Sequence, residues 1–217
     1  MESLKLVQDY KIIFGDKDTI HTGEIVEKKS RFIAYIKKVE TEADATEFIN
    51  QIKKKHYDAS HNCSAFVLGK NKEIVRSSDD GEPGGTAGKP MLDVLVGSDI
   101  VNIVAVVTRY FGGTELGRGG LTRAYSQATK EGLANIKIST MTKGNLLKIH
   151  TDYNSIGNIL HILENTPVKE SEYTDVITLT LEISVDEIFD LTNKITEISA
   201  GKSTIEVLEE IYFEKLS

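Results

Sequence analysis

The spacing of apolar residues switches between strand-like and helix-like periods along the first third of the chain. Over Arg31–Val39 apolar side chains fall on both faces of a period of two, as in a strand that is covered from both sides. From Glu42 onward they form one helical stripe, and Thr41 stands where a helix N-cap is expected. The elements predicted here are strands Thr22–Lys28, Arg31–Val39, His61–Leu68 and Glu73–Ser78 and a helix over Glu42–Lys55.

Two glycine-rich loops flank one strand that is apolar along most of its length. That strand, Asn102–Tyr110, contains Ile-Val-Ala-Val-Val and is predicted to be buried on both faces. The loop Asp79–Gly88 precedes it and leads into a short helix over Pro90–Leu95. The loop Gly112–Gly120 follows it and leads into a helix over Leu121–Ile136. The order ββαββαβα predicts a two-layer domain, a sheet with its helices on one side.

The pattern starts afresh after Lys137. The elements predicted there are strand Leu146–Tyr153, helix Ser155–Glu164, a short strand, strand Val176–Val185, helix Asp186–Ala200 and strand Thr204–Phe213. This βαββαβ order is the ferredoxin-like plan. The break belongs near Ser139, where the sequence has no helical periodicity. We therefore predict an α+β protein with domains at residues 1–138 and 139–217.

Length, composition and charge fit such a two-domain protein. The chain has 217 residues, of which 40% are apolar and 27% charged, enough for packed cores. The net charge of −7 is uneven: residues 1–135 carry 19 basic and 19 acidic side chains, and residues 136–217 carry 7 and 14. An overall basic nucleic-acid binder is therefore disfavoured, and an anion site is expected only in the first domain.

The chain is expected to be cytoplasmic. Its longest apolar runs, such as Ile103–Val107, are far shorter than the roughly 20 residues of a membrane span. Residues 1–20 contain four acidic residues and lack the apolar stretch of a secretory signal. Cys63 is the single cysteine, so no internal disulfide can form, which suits a reducing compartment.

The glycine loops are the candidate binding surface. Ten glycines fall between Gly81 and Gly120, far more than ordinary turns need. Glycines allow backbone N–H groups to converge, and the positive end of a following helix favours an anion there. Nearby arginines add charge-assisted hydrogen bonds. The pair Tyr110-Phe111 either stacks a base or packs against the neighbouring helix, and the sequence leaves both open. The predicted binding residues are Lys89, Arg109, Tyr110, Gly112, Gly113, Gly117, Arg118, Gly119, Gly120 and Arg123.

The loops do not match the common nucleotide-binding motifs. The first has Pro83 and Pro90 where a Walker A loop needs Gly and Ser or Thr. The second has Thr122 where the dinucleotide fingerprint needs its last small residue. No His pair has the spacing of a zinc site, and neither a metal nor a cofactor is expected.

Acidic residues lie among these cations. Asp79, Asp80 and Glu82 are either carboxylates for acid–base or metal chemistry or simply openers of a turn, and the sequence leaves both open. His61 and Cys63 are two apart on a predicted strand, a spacing that favours a core face over a Cys–His nucleophile. An anion site at these loops would therefore be of mixed charge.

Four stretches around the loops carry a specific signature. They are Lys29-Ser30-Arg31-Phe32, His61-Asn62-Cys63-Ser64-Ala65, Ser77-Ser78-Asp79-Asp80-Gly81-Glu82-Pro83 with Thr86-Ala87-Gly88 and Pro90, and Val106-Val107-Thr108-Arg109-Tyr110-Phe111-Gly112-Gly113 with Leu116-Gly117, Gly119-Gly120-Leu121 and Arg123-Ala124-Tyr125. Together they resemble the motifs of the YigZ/IMPACT family of bacterial and eukaryotic proteins. The resemblance implies a first domain like the second domain of ribosomal protein S5. It implies a second domain like the last, ferredoxin-like domain of the translocation elongation factor.

Three hypotheses of function remain open. The first is a non-enzymatic binding or regulatory protein acting near translation, as the resemblance implies, whose first domain contacts RNA, the ribosome or a translation-related protein and no membrane. The second is an enzyme that acts on a phosphorylated small molecule or nucleotide, with phosphate at the Gly117–Leu121 helix start and Asp79, Asp80 or Glu82 as acid, base or metal ligand. The third is a scaffold whose glycine loops only fold tightly.

Overall fold

The structure, a computed structural model, describes residues 9–214. They form two compact units, one of Tyr10–Thr140 and one that contains the described residues from Met141 onward. The strands are β1 (Tyr10–Ile13), β2 (Ile20–Glu27), β3 (Ser30–Lys38), β4 (His61–Leu68), β5 (Ile74–Ser78), β6 (Ile103–Tyr110), β7 (Ile138–Thr151), β8 (Val168–Tyr173), β9 (Ile177–Ser184) and β10 (Thr204–Glu214). The helices are α1 (Glu42–Lys55), α2 (Gly88–Gly97), α3 (Gly117–Leu133), α4 (Ile156–Ile162) and α5 (Ile188–Ile198). The protein is α+β, as predicted.

The sheet of the N-terminal unit has β6 at its centre. Its order is β2-β3-β6-β4-β5, and every neighbouring pair is antiparallel. Ala34 of β3 lies opposite Val107 on one side of the central strand, and Ala65 of β4 lies opposite Ala105 on the other. All residues of β6 from Ile103 to Val107 are buried. The prediction that this strand is covered on both faces is therefore confirmed.

Helices cover both faces of this sheet. On one face Phe32 packs with Met91 of α2 and Tyr125 of α3. On the other face Tyr35 packs with Phe48 of α1. The prediction of two layers with helices on one side is therefore wrong, because the unit has three layers. The physical reason is that β3 and β6 carry apolar side chains on both faces, and each face left in water would forgo about 25 cal/mol per Å² of apolar burial.

Helix α1 begins as the sequence predicts. The Thr41 hydroxyl accepts a hydrogen bond from the Asp44 N–H at 3.1 Å, and the Asp44 carboxylate accepts one from the Thr41 N–H at 2.9 Å. This reciprocal cap satisfies N–H groups that have no partner within the helix. The last turn carries Lys53, Lys54 and Lys55, whose charges complement the negative end of the helix.

The larger differences from the predicted boundaries have physical causes. Helix α3 begins at Gly117, one turn before the predicted start at Leu121. The prediction missed this turn because its glycine-rich sequence shows no apolar periodicity. Strand β7 begins at Ile138 instead of the predicted Leu146, and Ser139 lies within it. The prediction missed this part of the strand because its buried positions are polar and give no apolar period. Strand β1 was not predicted, since its four residues are too few to show a period.

In the C-terminal unit, β7 pairs with β9 and β10, and β9 also pairs with β8, all antiparallel, which gives the order β10-β7-β9-β8. Leu147 of β7 packs against Ile159 of α4 and Ile195 of α5, so both helices lie on one face. Of the five apolar positions of the alternation predicted over Val176–Val185, four are buried: Ile177, Leu179, Leu181 and Ile183. The fifth, Val185, follows the end of β9 and is exposed.

Helix α3 crosses β2 at a pair of glycines. A Cβ atom placed on Gly23 would lie 2.3 Å from the Gly132 nitrogen and 2.4 Å from the Glu131 carbonyl carbon. A Cβ on Gly132 would lie 2.8 Å from the Ile36 Cδ1. Neither glycine has a positive φ, so these positions need glycine for space and not for backbone conformation.

The substitution Gly23→Ala is expected to lower the free energy of unfolding by about 3 kcal/mol or more, because backbone atoms of α3 cannot move aside as a flexible side chain would. The control is Gly97→Ala, where a Cβ meets nothing within 4 Å and the change should stay within about 1 kcal/mol of neutral. Urea unfolding followed by circular dichroism measures both. Equal values for the two variants would contradict the close packing of α3 on β2.

Candidate functional site

The loop between β5 and α2 places a carboxylate inside the N-terminal unit. The Glu82 side chain is 2% exposed, and its Oε1 accepts hydrogen bonds from Arg109 Nη1 and from the Tyr125 hydroxyl, both at 2.7 Å. Burial raises the pKa of Tyr125, which therefore stays a donor. Arg109 belongs to β6 and Tyr125 to α3, so three parts of the fold meet at one oxygen. Removing one partner of such a buried ion pair costs about 3–5 kcal/mol.

The Arg109 guanidinium lies between two aromatic rings. Its Cζ is 5.5 Å from the ring centroids of both Phe32 and Phe111, distances at which a cation is attracted to a ring. The side chain is 8% exposed, and its Nε is buried without a hydrogen-bond partner among the described residues. A buried donor that lacks an acceptor costs about 1–3 kcal/mol. The Nε of Arg109 can therefore still donate a hydrogen bond.

Asp79 holds the first glycine loop closed. Its Oδ2 accepts the N–H of Gly85 at 2.8 Å, and its Oδ1 accepts those of Ala87 at 3.0 Å and Gly88 at 2.8 Å. Burial acts to raise the pKa of this carboxyl, but the three N–H donors outweigh burial and the pKa lies below the usual 3.8. Because α2 begins at Gly88, Asp79 caps that helix from outside it.

The next residue ties the same loop to β4 and α1. The Asp80 carboxylate accepts the N–H of Asn62 at 2.7 Å and a hydrogen bond from the Lys53 ammonium at 2.5 Å. Its φ of +44° lies in the left-handed region, as does the +89° of Gly81, and a residue with a side chain pays for that conformation. The acidic residues that the sequence singled out, Asp79 and Asp80 as well as Glu82, thus all have partners within the fold.

Cys63 on β4 is part of the core. Its residue is fully buried, and its thiol donates to the Asp79 carbonyl at 3.0 Å. Burial raises the pKa of this thiol to about 12, so it is not a thiolate at neutral pH. The prediction of a core face is therefore confirmed for Cys63.

His61, two residues earlier, lies at the surface end of the same strand. Its side chain is 26% exposed. Nδ1 lies 2.8 Å from the Asp80 carbonyl oxygen and donates to it, since a carbonyl can only accept. In the neutral ring Nε2 is consequently the acceptor, and it lies 3.9 Å from Glu82 Oε2.

A cleft of about 520 Å³ opens between the two glycine loops. Its polar lining includes Ser60, His61, Arg109 and Arg118, and one exposed carboxylate, Glu115. The buried Glu82 also reaches its wall, already paired with the arginine of β6. The described lining of the cleft thus contains two arginines and a single acid that is not paired, Glu115.

Helix α3 begins in this cleft. Its first residue, Gly117, has a φ of +70°, and within the described part of the chain its first turn has neither a side-chain cap nor an acidic residue. The N–H groups there are left to water or a ligand, and the positive end of the helix is not neutralised. Arg118 Nη2 donates to the Gly84 carbonyl at 2.8 Å, which joins the two loops. Arg123, exposed one turn further on, has its Nη1 3.7 Å from the Cβ position of Gly119.

Comparison with known proteins matches both parts of the chain. The model of the Impact N-terminal domain matches residues 28–133, and that of a domain of unknown function, DUF1949, matches residues 149–202. The IMPACT family member YvyE of Bacillus subtilis is 43% identical over 194 residues, which cover 88% of this chain and 89% of that protein.

The chain belongs to the IMPACT family.

The family match confirms the resemblance that the motifs indicate. The IMPACT family member YigZ of Escherichia coli is 33% identical over 84% of this chain and 92% of its own length. A crystal structure of a hypothetical protein superposes with a TM-score of 0.59 at 30% identity, covering 93% of this chain and 98% of that one. The Impact N-terminal match includes both glycine loops and all residues of the cleft.

Three of the ten predicted binding residues of this IMPACT family chain line the cleft, and the other seven lie outside its lining: Lys89, Tyr110, Gly112, Gly113, Gly119, Gly120 and Arg123. Lys89 pairs with Asp93 one turn along α2. Tyr110 lies on the opposite face of β6 from Arg109, where it packs against the α1 side of the sheet. Its hydroxyl meets His56 Nδ1 at 2.9 Å and donates to Asp58 at 3.1 Å.

Three other predicted glycines shape the second loop. A Cβ on Gly112 would lie 2.0 Å from the Lys29 carbonyl carbon, so this residue is pressed against the turn between β2 and β3. Gly113 has a φ of +82°, which favours glycine. A Cβ on Gly120 would lie 2.9 Å from the Leu116 Cβ. Gly112 and Gly120 are therefore needed for space, whereas Gly113 and Gly117 have open space at the Cβ position and are favoured by their positive φ.

Seven residues of the cleft were in neither predicted set, the binding residues or the acidic residues: Ser60, His61, Pro83, Phe111, Glu115, Leu116 and Leu121. The period of two along a strand places Phe111 on the same face as Arg109, a signal that the sequence does contain. Phe111 is 52% exposed. His61 lies opposite Arg109 because of the register between β4 and β6, and apolar periodicity alone does not fix that register.

Over residues 9–214, no group of three or more His, Cys, Asp or Glu side chains is placed to hold a metal ion. Within the same described range, no helix is long and apolar enough to cross a membrane.

The substitution Asp79→Asn is expected to destabilise the N-terminal unit by about 1–2 kcal/mol at neutral pH, allowing for the partial exposure of the carboxylate, because an amide accepts fewer and weaker hydrogen bonds. The native carboxyl has a lowered pKa, so its contribution is complete above its unfolded pKa and is lost as the pH falls through the folded value. Urea unfolding at about pH 7 and about pH 3 measures this loss.

The variant should therefore show a smaller decrease in the free energy of unfolding between the two pH values than the unsubstituted chain. Asp93→Asn, which removes an exposed carboxylate from α2, is the matched control. If Asp79→Asn destabilises no more than the control and keeps the full acid dependence, the carboxylate does not hold the loop as described.

Proposed function

We propose that this chain is a non-enzymatic regulatory protein of the cytoplasm that acts near translation, and that its N-terminal unit binds RNA through backbone phosphates at the start of α3. The observation that carries the proposal is the uncapped start of this helix, at Gly117, beside two arginines in one cleft. Helix N-termini favour phosphate because their N–H groups and dipole both point toward it. Membership of the IMPACT family supports a regulatory role.

The charges around the cleft support an anion as ligand. Backbone N–H groups stabilise the Asp79 carboxylate, while Asp80 pairs with Lys53 and Glu82 with Arg109. The two paired acids therefore repel an incoming phosphate less than the sequence suggests, but the pairing equally offsets the charge of Arg109. Arg118 is thus the arginine of the described lining that has no carboxylate within ion-pair distance. Glu115 is the exposed acid of the lining and opposes an anion directly.

The C-terminal part of the chain has 7 basic and 14 acidic side chains over residues 136–217, which disfavours an RNA clamp there. The proposed RNA contact is accordingly confined to the N-terminal unit. The affinity for RNA is expected to fall as the salt concentration rises, because phosphate contacts release counterions.

The two units are also proposed to have the folds that the resemblance implies. The strand order β10-β7-β9-β8, with α4 and α5 on one face, supports a ferredoxin-like C-terminal unit. The five-stranded sheet with α2 and α3 on one face supports an N-terminal unit like the second domain of ribosomal protein S5, to which α1 adds a layer on the other face.

Arg118→Ala and Arg123→Ala are each expected to weaken RNA binding about fivefold at low salt and to reduce the slope of log affinity against log salt by about 0.7, since each removes one phosphate contact. Glu115→Gln should tighten binding. Arg76→Ala, which removes an exposed arginine of β5 outside the cleft, is the control and should leave both values unchanged.

Cosedimentation with RNA and fluorescence anisotropy with a labelled strand measure these effects. The proposal fails if the chain binds no RNA at low salt, or if binding is as sensitive to Arg76→Ala as to Arg118→Ala. A protein partner in translation then becomes the better explanation of the regulatory role.

A second function, an enzyme acting on a phosphorylated small molecule, is favoured by one observation. His61 is oriented by the Asp80 carbonyl so that Nε2 is an acceptor at the cleft, close to the Glu82 carboxylate. A histidine whose tautomer is fixed in this way is suited to act as a general base. Phosphate at Gly117 would lie in the same cleft.

If the chain is such an enzyme, one member of a panel of nucleotides and sugar phosphates should raise its Tm, with or without magnesium. The substitution His61→Asn should then keep the Tm shift but abolish turnover of that compound. RNA binding that depends on Arg118 and not on His61, without any Tm shift by a small phosphate, would contradict the enzymatic alternative.

A further inference from the structure

A large aromatic ring is exposed at the cleft. Phe111 directly follows β6 and remains 52% exposed. It lines the cleft with the apolar side chains of Pro83 and Leu116. A phenylalanine left half in water forgoes much of the stabilisation that its burial ordinarily provides. The ring therefore presents apolar surface that a flat partner can cover.

The backbone that carries this ring is fixed on both sides. The Phe111 N–H donates to Ser60 Oγ at 3.3 Å, and the Gly112 N–H donates to Ser30 Oγ at 3.1 Å. The contact of Gly112 with the Lys29 backbone leaves no room for a side chain. The backbone from which the ring projects is thus fixed before any ligand arrives, which lowers the ordering cost of binding.

Arg109 supports the ring from within the fold. Its Cζ lies 5.5 Å from the Phe111 centroid, and Glu82 fixes its guanidinium at 2.7 Å. The residue is more than nine-tenths buried and lines the cleft, and its Nε has no partner among the described residues. An arginine beside an aromatic ring is the combination with which single-stranded nucleic acids are bound by stacking.

The cleft also contains a place for phosphate. Gly117 and Arg118 line it together with Phe111, and the open space above Gly117 allows a ligand to approach the backbone. The volume of about 520 Å³ falls within the roughly 300–1,000 Å³ of small-molecule sites. One cleft thus combines a stacking surface with an anion site.

We infer that the cleft binds one nucleotide unit, with its base stacked on Phe111 and its phosphate at the first turn of α3. The inference rests on the proposed function, because it assigns an occupant to the same cleft. A base within a duplex is covered by its neighbours on both faces, so the ligand is a segment of single-stranded RNA or a free nucleotide.

The test compares two probes with the full chain by fluorescence anisotropy: a short oligoadenylate and a strand of equal length in which every ribose lacks its base. Phe111→Leu keeps apolar volume but removes the ring, and should weaken binding of oligoadenylate about tenfold while leaving the abasic strand unaffected. The matched control is Phe14→Leu, because Phe14 is exposed to a similar extent, 49%, and lies outside the cleft. It should change neither affinity.

Competition identifies the source of the nucleotide. If adenosine monophosphate displaces the probe at about the concentration at which the unlabelled strand does, and ribose 5-phosphate does not, the ligand is a free nucleotide. Displacement by the strand alone indicates RNA. Both results support stacking on the ring, provided that the Tm of Phe111→Leu stays within the range of the control.

Two outcomes overturn the inference, and they differ. If Phe111→Leu binds both probes as the unsubstituted chain does while Arg118→Ala weakens both, the base site is wrong and the proposed phosphate site stands. If the unsubstituted chain binds neither probe at low salt, the proposed function is wrong and the nucleotide site fails with it.

Discussion

The ion pair between Glu82 and Arg109 is the constraint on which the N-terminal unit depends. Two opposite charges are costly to remove from water, and they are tolerated inside a protein only where geometry and further contacts compensate. Tyr125 supplies the second hydrogen bond to the carboxylate, and aromatic rings flank the guanidinium. The glycine-rich loop before α2 consequently has a fixed position relative to β6 and α3, and the cleft between the two loops follows from that position.

Most polar residues of the family motifs serve the fold and not a ligand directly. Asp79 closes its own loop, and Asp80 joins that loop to β4 and α1. They hold the first loop in position, and their charges are stabilised there by backbone N–H groups and by Lys53. The first turn of α3 has no side-chain cap, Arg109 Nε has no partner among the described residues, and the ring of Phe111 is exposed in the same cleft.

The sequence predicts the elements well because most carry a clear apolar period, as β9 and α1 do. The three layers of the N-terminal unit were not predicted, although the apolar residues on both faces of β3 were recognised. Which face of the sheet each helix covers depends on contacts between residues distant in sequence. The motifs located the candidate surface, and the period of two along the strand already separates Phe111 from Tyr110. Separating His61 from Cys63, which share a face of β4, required the sheet register and the environment of each side chain. Contacts such as Glu82 with Tyr125 join residues 43 apart, and no local pattern encodes them.

Cys63 gives the molecule a practical property. It is the single cysteine of the chain, fully buried and with its pKa raised to about 12, and thiol reagents react with the thiolate form. Maleimide dyes and spin labels should therefore leave the folded protein almost untouched. A cysteine introduced on the surface of either unit can carry such a probe without first replacing Cys63, so distances between labelled positions become measurable in the otherwise native chain.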